Sequence, residues 1–149
     1  VSEDCLVLKE LSELFLKESN LASLIESSIV FIEEGQFFKD LVGYVLKLVE
    51  EFNKDVVIIG LDGDYNRKPF GEILNLIPYA NKIVKLNSMC KVCNDGTFAP
   101  FTFLKNNSII KNQILVGGSD LYIPVCRKHY LELNNIVGNK MDSIQCQEI

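Results

Sequence analysis

Cys90 and Cys93 form one short pair of metal-ligand residues, Cys126 and His129 form another with the same gap, and 32 residues separate the two pairs. Together they take three of the five cysteines and the only histidine in the chain. Four soft or borderline donors, presented two at a time by C-x-x-[CH] turns, suit one tetrahedral Zn²⁺ with little backbone strain. All four positions are protein ligands, so the expected role is a structural brace. A second chemical signal is acidic: Glu33-Glu34 and Asp62 each follow a short apolar run. Carboxylates in such places either hold Mg²⁺ bound to nucleotide phosphates or accept a proton from an attacking hydroxyl. Neighbouring residues of an extended strand point to opposite sides, so Glu33 and Glu34 serve different targets. The alternative for the same pair is a solvated cap on the next helix.

The elements that must position these groups follow from periodicity. Ser28 to Ile32 and Val56 to Leu61 are continuous runs of β-branched and apolar residues, the pattern of strands buried on both faces of a parallel sheet. Leu41, Val42, Val45, Leu48, Val49 and Phe52 recur at helical spacing between them, which makes a βαβ unit. Ligands bind such sheets at the carboxyl ends of strands, where Glu33-Glu34 and Asp62-Gly63 lie. Ahead of the unit, Val7, Leu8, Leu11, Leu14 and Phe15 predict an amphipathic helix behind Ser2. After it, Phe70 to Ile77 predicts a short helix halted at Pro78, and Lys82 to Leu86 a third strand. Between the ligand pairs, Thr97 to Leu104 and Ser108 to Val116 read as strands joined at Lys105-Asn106-Asn107, a hairpin clamped at its base. Gly117-Gly118 allows a sharp turn or a close approach to a ligand.

The 149 residues suit one domain with a small appended lobe, and 48% hydrophobic content is ample for a core. A net charge of −5 without a basic block argues against a general nucleic-acid or membrane-surface binder. Five cysteines, an odd number, fit a metal site in a reducing compartment better than a disulfide framework, and a soluble, cytoplasmic protein is expected. Cys5 and Cys146 are read as structural or incidental.

Read as one string, Phe31-Ile32-Glu33-Glu34-Gly35-Gln36-Phe37-Phe38 resembles the strand-end motif of the cellular, zinc-containing thymidine kinases. The resemblance continues through Leu61-Asp62-Gly63-Asp64-Tyr65-Asn66-Arg67-Lys68-Pro69-Phe70-Gly71, Ile73 to Pro78, Val84 to Leu86, both cysteine-containing pairs and Gly117 to Tyr122, in the same order and spacing. It spans roughly Ser28 to Tyr130. It implies an α/β fold, a parallel-sheet core like that of P-loop kinases with a small zinc-stapled lasso domain. Residues 1–87 would form the core, 88–132 the lasso domain, and 133–149 a mobile tail.

The implied activity is transfer of the ATP γ-phosphoryl group to the 5′-hydroxyl of thymidine or deoxyuridine, a salvage step toward DNA synthesis, by a homotetramer that uses neither nucleic acid nor membrane. Glu34 matches the general base. Glu33 stands where the family usually carries the Asp that serves Mg²⁺-nucleotide binding, one methylene longer. Phe37, Leu61, Tyr65 and Phe70 match apolar walls around the nucleoside, Tyr65 in place of a usual Phe. Gln113, Ile114, Leu115, Val116 and Gly117 match the lasso whose main chain hydrogen-bonds the base, and Tyr122 the aromatic at its end. Arg67 and Lys68 either meet phosphate or are solvated.

One part of the family pattern is missing from these residues. The Gly-rich loop ending in Gly-Lys-[Ser/Thr] does not occur, and the 149 residues hold no Gly-Lys pair. The expectation is an N-terminally incomplete kinase, with little activity from these residues alone because the phosphate cradle supplies most of phosphoryl-transfer catalysis. Two other readings remain open: a non-catalytic relative that binds a nucleoside or forms oligomers, and a zinc-ribbon interaction module, which the acidic charge disfavours.

Overall fold

A computed structural model describes residues 5–105 and 121–134. They divide into two compact units, one of residues 5–62 and 69–83 and the other of residues 63–68, 84–105 and 121–134.

The first unit runs α1 (Glu13–Leu16), α2 (Glu18–Glu26), β1 (Ile29–Ile32), a 3₁₀ turn at Gly35–Phe37, α3 (Leu41–Leu46) continued by a π-helical stretch Lys47–Glu51, β2 (Asp55–Ile58) and a 3₁₀ helix Ile73–Tyr79. β1 and β2 pair in parallel, with Ile29 opposite Asp55 and Ile32 opposite Ile58. A parallel pair needs a crossover, and α3 with its extension supplies it. Leu41, Val45 and Leu48 recur at helical spacing and are buried with Leu11, Leu14, Leu24, Ile32 and Leu76.

Side chains alternate across a strand, and here one side is packed: Val30, Ile32, Val56 and Ile58 meet the core. Phe31 is 68% exposed and Ile59 52%. The expectation of burial on both faces is thus corrected, because among the described residues the helices cover a single face.

Three further expectations change. The first helix begins at Glu13 rather than behind Ser2, which lies outside the described residues. The amides ahead of it are engaged by side chains: Lys9 and Glu10 donate to Glu13 Oε1 at 2.9 and 3.1 Å, and Leu11 and Ser12 to the Asp40 carboxylate at 3.2 and 2.9 Å. Those first two amide bonds hold the Glu13 carboxyl below its usual range. Residues 82–87 form no strand, and Ile83, Val84 and Leu86 are exposed, since among the described residues no neighbour offers them a ladder. Pro78 sits inside its helix, where i→i+3 bonding costs only the single N–H that proline lacks.

The second unit holds the antiparallel pair β3 (Ser88–Met89) and β4 (Phe98–Ala99), the antiparallel pair β5 (Phe101–Leu104) and β6 (Tyr122–Val125), and α4 (Arg127–Leu133). The strand expected at 108–116 and the tail beyond residue 134 lie outside the described residues. Among the described residues Cys90, Ala99, Val125, Cys126 and Tyr130 form a buried cluster of this unit, with Cys93, Phe101, Phe103, Ile123 and Leu131 packed against it, a small core of the kind that a metal staple commonly supports. Among the described residues no helix is long and apolar enough to cross a membrane.

Candidate metal centre and acidic strand end

The four ligand residues converge. Cys90 and Cys93 flank a tight turn after β3, closed by the Asn94 amide on the Cys90 carbonyl at 3.0 Å. Asn94 takes a left-handed φ of 53°, a conformation asparagine tolerates. Cys126 stands immediately before α4, and one turn of that helix brings His129 back beside it.

His129 Nδ1 lies 3.5 Å from Cys90 Sγ, 3.3 Å from Cys93 Sγ and 3.3 Å from Cys126 Sγ, and the Cys93 and Cys126 sulfurs are 3.8 Å apart. A tetrahedral cation with metal–sulfur bonds of about 2.3 Å has sulfur–sulfur edges of about 3.8 Å, so the donor set fits such an ion. All the donor atoms lie within 4.8 Å of one another. The amides of Cys93 and Cys126 point at Cys90 Sγ from 3.5 and 3.3 Å, as expected where thiolate charge collects. The other ring nitrogen, Nε2, faces the Glu132 carboxylate at 3.9 Å, which favours the tautomer that leaves Nδ1 free to ligate.

The thiols titrate unequally. Burial pushes Cys90 up, but the Cys93 and Cys126 amides and the His129 ring outweigh it and bring this thiol down to about 6. Cys93 is pushed up to about 11 by burial and by its neighbouring sulfurs. Cys90 is thus the more readily ionised thiol and Cys93 the less, while a ligated Cys93 must be deprotonated. Metal uptake at pH 7 is expected to release at least about one proton, from Cys93. Titration calorimetry in two buffers of different ionisation enthalpy checks this; a buffer-independent binding enthalpy would contradict it.

Around the centre the second unit carries a set of aromatic contacts with no counterpart in the sequence reading. Tyr130, next to the ligand His129, is buried and donates its hydroxyl to the Tyr65 carbonyl at 2.7 Å. Arg67 lies over the Tyr130 ring at 4.6 Å and the Phe101 ring at 5.7 Å, and Arg127 over Phe101 at 4.9 Å. Arg67 is thus stacked on aromatic faces rather than freely solvated. Tyr65 is buried, with its ring centroid 6.4 Å from that of Tyr122. Adjacency to His129 was the one sequence signal available for Tyr130.

In the first unit, Glu33 and Glu34 lie exposed at the carboxyl end of β1. Glu34 has left-handed backbone, φ 54° and ψ 40°, and makes no side-chain cap bond to the turn that follows. Helix capping does not describe it. A non-glycine residue held in this region costs on the order of 1–3 kcal/mol and persists where its surroundings impose it. The surroundings are specific: the Gly35 amide bonds the Ile59 carbonyl at 3.0 Å, the Phe37 amide bonds the Glu34 carbonyl at 3.0 Å, and buried Gln36 donates Nε2 to Glu34 Oε2 at 2.5 Å.

Phe37 and Phe70 stand edge to face with centroids 5.5 Å apart, Phe70 buried and Phe37 half exposed. Leu61 is exposed, and its amide donates to Gln36 Oε1 at 3.0 Å. Of the candidate site residues, Glu33, Glu34, Phe37, Leu61 and Phe70 belong to the first unit, and Tyr65, Tyr122 and the four metal ligands to the second. Gln113, Ile114, Leu115, Val116 and Gly117 lie outside the described residues.

The thymidine kinase family model matches residues 4–130. The chain is 41% identical over 123 residues to thymidine kinase a of Arabidopsis thaliana, covering 83% of this chain and 50% of that protein. It is 40% identical over 128 residues to a thymidine kinase of Oryza sativa subsp. japonica, 86% of this chain and 45% of the relative. To the thymidine kinase of Vaccinia virus (strain Western Reserve) it is 39% identical over 112 residues, 75% of this chain and 60% of the relative. The chain thus spans about half the length of the curated relatives it matches.

Proposed function

The chain belongs to the thymidine kinase family, and from that membership we propose that the protein transfers the γ-phosphoryl group of ATP to the 5′-hydroxyl of thymidine or deoxyuridine. One observation carries the reading: a carboxylate at the end of a parallel strand, on left-handed backbone, gripped by a buried amide. Strand ends of parallel sheets are where such ligands bind, and a held carboxylate within reach of a hydroxyl can take its proton as phosphate transfers.

Glu34 is the base in this reading and Glu33 serves Mg²⁺-ATP. By the family resemblance Phe37, Leu61, Tyr65, Phe70 and Tyr122 are nucleoside-binding residues, and the main chain of 113–117 reads the base edge. Cys90, Cys93, Cys126 and His129 hold structural zinc, whose preference for tetrahedral sulfur and nitrogen donors suits this set. When bound, zinc supplies a fixed crosslink among β3, the start of α4 and α4 itself. The working protein is a cytoplasmic homotetramer by the same family reading.

By the family resemblance the base is held by apolar side chains and read by main-chain groups, an arrangement that admits one ring and one base edge, so specificity is for pyrimidine 2′-deoxynucleosides. The test is competition on the protein made from its complete coding sequence. Deoxyuridine displaces thymidine in the expected result, while deoxyadenosine and deoxyguanosine do not. Displacement by either purine at concentrations comparable to deoxyuridine would defeat the assignment.

A further inference from the structure

Gln36 is 3% exposed, the most deeply buried of the polar side chains among the described residues. A buried primary amide is costly unless both its ends are bonded. Both are: Oε1 accepts the Leu61 amide at 3.0 Å, and Nε2 donates to Glu34 Oε2 at 2.5 Å. The Leu61 N–H can only donate and a carboxylate only accept, so the amide cannot turn over without setting donor against donor. Its NH₂ end is therefore committed to Glu34.

The backbone around Gln36 is cleared for it. A Cβ on Gly60 would stand 2.3 Å from Gln36 Oε1, and one on Gly71 2.2 Å from the Gln36 carbonyl oxygen. Gly71 also has φ +59°, which a side chain would strain. Gly60 thus leaves room for the Gln36 side chain and Gly71 for its main chain, and among the described residues that side chain meets the Leu61 amide and the exposed carboxylate of Glu34.

We propose that Gln36 is a positioning residue for the phosphoryl-transfer step: it clamps Glu34 Oε2 and so aims Oε1 at the acceptor hydroxyl. A glutamate on an exposed strand end samples several rotamers, and a fixed donor on one oxygen removes that freedom. The inference rests on the reading of Glu34 as the base.

Two replacements separate positioning from simple packing. Gln36→Glu keeps an acceptor for the Leu61 amide and replaces the donor that faces Glu34 by a like charge; Gln36→Leu removes both bonds. Steady-state kinetics on the protein from the complete coding sequence are expected to show kcat lowered roughly 10²-fold in either variant, the scale of a reacting group misplaced by about 1 Å. KM for thymidine stays within about twofold, as it does when the loss is confined to the transition state. In a Glu34→Gln background the same replacements lower kcat no further, because the group they position is already gone. An equal proportional loss in both backgrounds, or an unchanged kcat in Gln36→Glu, overturns the proposal. If Gln36→Leu does not fold, Gln36→Glu alone decides. Wild-type turnover in Glu34→Gln itself overturns the base assignment and the positioning with it. That result is distinct from an inactive Glu34→Gln beside fully active Gln36 variants, which removes only the role of Gln36.

Discussion

Stripping zinc from the protein is expected to melt the unit built around Cys90, Cys93, Cys126 and His129. Among the described residues its buried cluster of Cys90, Ala99, Val125, Cys126 and Tyr130 draws two members from the candidate ligands themselves. A core of that size contributes little after the entropy of ordering its strands is met. Structural zinc in small domains is worth about 10–16 kcal/mol of apparent binding free energy at neutral pH, enough to decide between folded and unfolded. The parallel unit has its own core of Leu41, Val45, Leu48 and their neighbours, and is expected to keep its structure. Replacing Cys93 or Cys126 by Ser should act like chelation, since hard oxygen is a poor substitute for thiolate on zinc. The measurements are zinc per chain by elemental analysis and amide exchange with and without chelator. About one zinc per chain, with protection at Val125 and Tyr130 lost on chelation, is the expected outcome. Freshly purified protein that holds no zinc, or protection that survives its removal, would refute the assignment.

Glu34→Gln is expected to lower turnover by roughly 10²–10⁴, the usual worth of a general base. The replacement keeps size and shape, so thymidine affinity should change little. Gln36 Nε2 finds an acceptor in the new amide, which limits the structural cost. Glu33→Gln should instead weaken use of Mg²⁺-ATP, and added Mg²⁺ should relieve part of the defect. A solvated or capping Glu34 predicts the opposite: a stability change of about 0.3–1 kcal/mol with near-normal turnover. The structure already disfavours capping, since no cap bond forms and the residue precedes only a three-residue turn. Turnover and melting temperature measured on both variants separate the two accounts.

What could be read from the residues was what local pattern encodes. The β1–α3–β2 unit was legible because β-branched runs and a 3.6-residue apolar period are both local signals. The cluster of four candidate ligands was legible because two fixed gaps dictate geometry whatever the intervening fold. Other features depend on partners distant in sequence. Nothing near Leu11 reveals that Asp40 takes its amide, and so the first helix starts late. α2 was missed because Leu21, Leu24 and Ile25 mark too short an apolar period among polar residues. Ile83, Val84 and Leu86 have strand composition without a neighbour to pair with among the described residues. Gln36 stood inside a recognisable string, yet its importance lies in Leu61, Gly60 and Gly71, each more than twenty positions away. The stack of Arg67 on Tyr130 likewise joins positions 63 residues apart, and no periodicity encodes it.

The most direct measurement is phosphoryl transfer itself: protein from the complete coding sequence, at full zinc occupancy, incubated with Mg²⁺-ATP labelled on the γ-phosphate and with thymidine. Label on the 5′-oxygen of thymidine is expected with wild-type protein, and its near-complete loss with Glu34→Gln. Folded, zinc-replete protein that leaves thymidine unlabelled, or a Glu34→Gln variant that labels it as fast as wild type, would contradict it.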